Sequence, residues 1–196
     1  GLDVEGLSRQ IDEIDRLNGA FDGFRLLKSS EVEILPDGSL DLPDDLLARL
    51  DIRICAIHTR LNLSRDQQTE RILRAMDNPW FSILAHPTER LIGQRPPIEL
   101  DMERLLRGAK ERGCFVEVNA QPYRLDLDDV YCRLAKDIGV RVAISTDAHS
   151  PGELDYMRFG VDQARRGWLE PDDVLNTRAW QDLEPLLARG QHAASR

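Results

Sequence analysis

Long apolar runs are missing from this chain: no stretch approaches the roughly 20 consecutive apolar residues that a membrane-crossing helix needs, so a helical span is excluded. A basic excess is missing as well. The formal net charge is −9, which argues against a domain that grips nucleic acid by bulk electrostatics, unless bound cations reverse the sign locally. Cysteine is scarce. Cys55, Cys114 and Cys132 are odd in number and show no CxxC spacing, which disfavours a disulfide framework and fits a reducing, cytoplasmic setting with three inert, buried thiols. No GxSxG motif is present for a serine hydrolase, and Ser145 precedes an acid rather than facing a base. Neither a Walker A nor a GxGxxG sequence occurs. Internal repeats, low-complexity tracts and interdomain linkers are also absent. No signal peptide is visible and the first residue is Gly1 rather than Met, so the chain reads as a piece of a longer protein.

What is present suits one globular domain. The chain has 196 residues, of which 41% are hydrophobic and 31% charged, enough to bury a substantial core. The domain is expected to cover residues 1–188, with 189–196 a frayed tail. Leu7, Ile11, Ile14 and Leu17 recur at helical period, which predicts an amphipathic helix over 5–18. Asp37-Gly38 marks a tight bend between short extended pieces. Ile52 to Ile57 is a compact β-branched run. Ser64 and Gln67 stand at capping-box spacing and predict a helix continuing to about Met76. Phe81 to Ala85 reads as a strand. The next helix runs from an Asp101 cap to Gly113, with Met102, Leu105, Leu106 and Ala109 inward, and Cys114 to Val118 forms a further strand. Asp126 is expected to cap a helix with Val130, Leu134 and Ile138 on its inner face, ending at Gly139 in the left-handed position after the helix. Val140 to Ser145 closes the series. Strands and helices thus alternate from about residue 50 to 165, the pattern of βα units around a parallel sheet with right-handed crossovers, so the fold class is α/β. Two or three more helices follow, one starting near Pro171. Residues 90–100 read as a loop on the active side.

Three of the four histidines end an apolar run. ICAIH finishes at His58, FSILAH at His86 and ISTDAH at His149; the fourth, His192, lies in the tail. In a parallel βα array the carboxyl ends of the strands share one face, and that face carries the chemistry of barrel enzymes. Asp147 and His149 are two apart, so on extended backbone they point the same way. Imidazole with carboxylate selects zinc, manganese or iron over calcium. SSEVEIL brings a further pair, Glu31 and Glu33, on a common face, and the residues by themselves leave open which of the two joins the site. One histidine after a strand is more often a core or loop residue than a ligand. The same placement on three strands, together with DxH, favours a metal centre. The chemistry such a centre suggests is hydrolysis of a phosphoester by metal-bound water, with no side-chain nucleophile. Arg60, Arg90 and Arg124 follow strand ends and are candidates for binding substrate phosphate, although each could equally be a surface ion-pair partner.

SSEVEILPDGSLDLP, AIHTRLNL, ILAHPTERLIGQR, EVNAQPYRLDL, ISTDAHSPGELDYMRFGV and ARRGWLEPDDVLNT, in this order, resemble the PHP (polymerase and histidinol phosphatase) domain at the C-terminus of bacterial X-family DNA polymerases. The resemblance spans nearly the whole chain. It implies a distorted seven-stranded (β/α) barrel holding up to three divalent ions, manganese, zinc or iron, with 3′-to-5′ exonuclease or related phosphoesterase activity in DNA repair. It also implies a polymerase domain preceding this one and DNA 3′ ends as substrate. Matched residue by residue, the ligands it implies are Glu31, His58, His86, Asp147 and His149, which selects Glu31 over Glu33. The chain departs from the family in two respects. The family's opening HxH strand and a further histidine before the first helix are missing, so the expectation is a partial barrel with an incomplete site, weak or inactive alone, whose open strand edges favour pairing of two copies. Ser29 and Ser30 also stand where the family has a glycine and an apolar residue. Two other functions compete with the exonuclease: a small-molecule phosphatase of the histidinol-phosphate type, and a noncatalytic accessory module.

Overall fold

The computed structural model describes residues 2–188; His192 and the expected tail lie outside the described residues. Five parallel strands form one sheet: β1 (Ser29–Glu33), β2 (Ile52–Ala56), β3 (Ile83–Leu84), β4 (Phe115–Asn119) and β5 (Val142–Ser145), in the spatial order β1-β2-β3-β4-β5. Sequential strands being neighbours throughout is the order of an unclosed (β/α) barrel rather than of a doubly wound sheet. Among the described residues, seven α-helices accompany the sheet. α1 (Val4–Asn18) and the single turn α2 (Asp44–Leu47) flank β1; α3 (Arg65–Asp77), α4 (Met102–Arg112) and α5 (Asp129–Ile138) form successive crossovers; α6 (Met157–Arg166) and α7 (Trp180–Leu187) follow β5. None of them is long and apolar enough to cross a membrane.

Alternation along the strands splits the core in two. Val32, Cys55, Leu84, Val116, Val118, Val142 and Ile144 face the helices and share the larger cluster with Ile72, Met76, Leu105, Leu106 and Ala135. The other face carries Ile83, Phe115 and Ala143, closed from below by Leu175, Leu183 and Leu187. Glu31, Glu117, Asn119 and Ser145 share that second face by register, so it is apolar at the amino ends of the strands and polar at the carboxyl ends. All three cysteines are buried, and burial pushes the Cys132 thiol up to about 12.

Local signals set most of the elements. The capping box of Ser64 and Gln67 is formed at the start of α3, and Gly113 and Gly139 end α4 and α5 with left-handed backbone (φ 67° and 85°), a region that costs glycine nothing. Three expectations need correction. The cap of α5 is Asp128, whose carboxylate accepts from Tyr131 N at 2.8 Å, because Asp126 turns inward to accept from Thr88 N at 2.8 Å. Val130 is 69% exposed, and the buried residues of α5 are Cys132, Ala135 and Ile138, with Leu134 partly buried against the same core; Val130 falls in the first turn, outside that stripe. β3 is shorter than expected because the amide of Phe81 closes a turn onto Asn78 O and does not join the ladder.

Candidate metal centre

β1 and the loops after β2 and β3 bring Glu31, His58 and His86 together, with one ligand-type atom from each lying within 4.8 Å of the others. Glu31 Oε1 is 2.9 Å from His86 Nε2 and 3.5 Å from His58 Nε2. The two rings meet edge-on, centroids 5.4 Å apart. Both imidazoles are held from behind. His58 Nδ1 lies 2.7 Å from Glu33 Oε2, and His86 Nδ1 is in close contact with Glu89 Oε1. A carboxylate on Nδ1 fixes the tautomer and leaves Nε2 as the free donor, the arrangement found behind metal-ligating histidines. Glu31 and Glu33 therefore have different work. Glu31 faces both Nε2 atoms, whereas Glu33 accepts from His58 N and from Thr59 Oγ1 and shapes the loop.

The electrostatics follow from these contacts. Hydrogen bonding to His58, then to His86, holds the Glu31 carboxyl far below the usual carboxylate range. His58 is raised, first by Glu31 and then by Glu33, against an opposing burial effect. Burial would depress His86, which is only 2% exposed, yet Glu31 and Glu89 outweigh it and lift the imidazole to about 10. Excess negative charge thus converges on two imidazoles, the situation a divalent cation relieves. One carboxylate and two imidazoles, convergent and oriented from behind, fit zinc, manganese or iron. His86, Glu89 and Asp147 also share left-handed backbone (φ 24°, 55° and 50°), a conformation that non-glycine residues adopt rarely and that concentrates at functional sites.

Asp147 and His149 lie beyond β5. Asp147 is half-buried, His149 is exposed, and His149 Nδ1 sits 2.8 Å from the Asp147 carbonyl. Neither is within the group formed by Glu31, His58 and His86. The arginines differ among themselves. Arg90 donates Nε to Arg124 O at 2.6 Å and a second nitrogen to Leu125 O. Arg124 is mostly buried, 3.6 Å from Glu89 Oε2. Arg60 is exposed and lines a cleft of about 360 Å³ with Pro36, Leu63, Gln67 and Arg74. Sequence reasoning did not find Glu89 or Arg71. Arg71 reaches from α3 to donate to Leu35 O (2.9 Å), Thr59 O (2.8 Å) and Ile34 O, tying the end of β1 to the loop that carries His58. A helical arginine among apolar neighbours was the available signal.

No family model matches the chain. It is 44% identical over 189 residues to the DNA polymerase/3'-5' exonuclease PolX of Bacillus subtilis (strain 168), a match covering 96% of this chain and 33% of that protein. The chain is homologous to part of PolX. It is also 31% identical over 166 residues to a probable phosphatase of Thermoanaerobacter sp. (strain X514), covering 80% of the chain and 65% of the relative. A probable phosphatase of Caldanaerobacter subterraneus is 33% identical over 138 residues, 52% of its length. The chain therefore spans a third of the polymerase relative and less than two thirds of these phosphatases.

Proposed function

We propose that the chain is a metal-dependent phosphoesterase domain of PHP type that trims DNA 3′ ends as the C-terminal part of an X-family polymerase. The observation that supports this reading most is the convergence of Glu31, His58 and His86, each imidazole braced on Nδ1 by its own carboxylate. The PolX and phosphatase relatives support phosphoester hydrolysis as the reaction class. Glu31, His58 and His86 would hold one divalent ion, with Asp147 and His149 contributing further donors to an intact centre. A bound ion of this kind supplies Lewis acidity, neutralising phosphoryl charge and making water nucleophilic near neutral pH. The residues of the chain do the rest. Glu33 and Glu89 keep both Nε2 atoms aimed at one point, Arg71 and Arg90 hold the loops in place, and Arg60 and Arg124 are the candidates for meeting a substrate phosphate.

The phosphatase relatives favour a second reading, hydrolysis of small phosphomonoesters. One assay separates the two. With Mn²⁺, the chain and any longer natural chain containing it are offered a recessed, labelled primer and, separately, small monoesters such as histidinol phosphate. Stepwise loss of 3′ nucleotides supports the exonuclease, and phosphate release from monoesters alone replaces it with the phosphatase. Absence of both, with Mn²⁺ bound, leaves a noncatalytic module.

A further inference from the structure

Glu117, Asn119 and Gln121 alternate along β4 and just past its end, and none belongs to the proposed ligand set. All three are buried: 4%, 0% and 1% exposed. Three neighbouring polar side chains are tolerated in a core only if each is satisfied. Here the partners lie on the segments that carry the candidate ligands. Glu117 Oε2 accepts from His86 N at 2.6 Å and from Asn119 Nδ2 at 3.2 Å, and Oε1 accepts from Ser145 Oγ. Asn119 gives its other amide hydrogen to Asp147 Oδ2 at 3.1 Å and accepts from Gln121 N at 3.0 Å. Gln121 Nε2 donates to Asp147 O at 2.7 Å and to Glu153 Oε2 at 3.2 Å. The same Glu153 oxygen accepts from His149 N at 2.8 Å. Flipping the Asn119 amide would set its oxygen against two carboxylates and its NH2 against a backbone N–H, so the network admits one orientation.

We infer that Glu117, Asn119 and Gln121 are positioning residues: a buried strut that fixes the Asp147–His149 loop relative to His86, so that β5 presents its donors to the cation held by Glu31, His58 and His86. The strut rests on the metal-centre reading above. It explains why the end of β4, an interior strand of the sheet, carries polar residues where an apolar layer would pack at least as well. Glu117 joins two strands that flank its own, β3 through the His86 amide and β5 through Ser145. Asn119 hydrogen-bonds both Glu117 and the Asp147 carboxylate. Gln121 grips the left-handed Asp147 backbone by its carbonyl, holding a conformation that aspartate adopts at some cost.

The test is a double-mutant cycle on Mn²⁺ affinity, measured by calorimetry on the full chain, with melting of the metal-free protein recorded for each variant. The proteins are wild type, N119A, D147A and N119A/D147A. We expect N119A to weaken Mn²⁺ binding about 10- to 100-fold, the usual effect of removing a partner of a ligand. D147A should weaken it at least as much, and the double variant should bind no more weakly than D147A, because Asn119 acts through Asp147. Additive losses overturn the strut, as does N119A binding Mn²⁺ like wild type. A wild-type chain that binds neither Mn²⁺ nor Zn²⁺ overturns the metal centre itself, a result distinct from either. If N119A fails to melt cooperatively, N119L takes its place. That variant roughly keeps the side-chain volume and loses both donors without adding a charge, and the same non-additivity is expected of it.

Discussion

Replacing Glu89 with glutamine removes one charge from the buried contact behind His86 and leaves an amide oxygen able to accept from Nδ1. His86 is 2% exposed, so its ring cannot exchange the lost partner for water. Carboxylates that brace ligating histidines are typically worth about 10- to 100-fold in metal affinity, or about 1.4 to 2.7 kcal/mol. The surroundings place E89Q near the lower end of that range, because an amide oxygen still stands against Nδ1. The other oxygen of Glu89 cannot be replaced so well. It lies 2.7 Å from Arg95 Nη2 and 3.6 Å from Arg124, and a glutamine NH2 there would oppose two cations. Arg95 can turn to solvent, but the mostly buried Arg124 cannot, so the metal-free protein should also lose about 1 to 2 kcal/mol, or roughly 2 to 8 °C in melting temperature for a domain of this size. E89A, which leaves Nδ1 with no acceptor, should approach the full 100-fold. Mn²⁺ titration calorimetry measures the affinities and scanning calorimetry without metal measures the stabilities. Unchanged Mn²⁺ affinity in E89Q and E89A, with H86A losing it, would refute the idea that the carboxylate orients the ring.

Three further outcomes are expected. A Cβ on Gly160 would sit 2.5 Å from Ile144 Cγ2 and 2.9 Å from Ala120 Cβ, so G160A should lose about 1 to 3 kcal/mol by overpacking; a calorimetric melt equal to wild type would show that α6 is not pressed on the sheet as described. Burial pushes the Asp126 carboxyl from 3.8 up to about 7. Between those values the folded chain holds a proton that the unfolded chain has released, so this group's contribution to stability falls as pH rises from about 4 to about 7 and is level above. D126N removes the effect, so urea melts of D126N and wild type should diverge in the variant's favour across that window, and parallel profiles would contradict the assignment. S64A breaks the capping box at the start of α3 and should cost about 1 kcal/mol by urea denaturation, a loss that S64T, which keeps the hydroxyl, should largely avoid.

Features read within a few residues were legible from the chain alone. Period and caps located α1, α3 and α4 and the glycines that end α4 and α5, since a cap or a left-handed stop depends on contacts three or four residues away. The placing of His58 and His86 directly after apolar runs indicated a shared strand-end face, because parallel βα units present their strand ends together. The residues by themselves left Glu31 and Glu33 open, and the contacts that separate the carboxylates come from tertiary structure. Glu31 meets His86 across 55 positions and Glu117 meets His86 N across 31, and no local pattern reports a partner so far away. The same holds for Asp126, which reads as a cap by spacing and is instead drawn inward by the Thr88 amide across 38 positions. A buried charge goes to whatever donor the folded chain brings to it, and only the packing of the strands determines which donor that is.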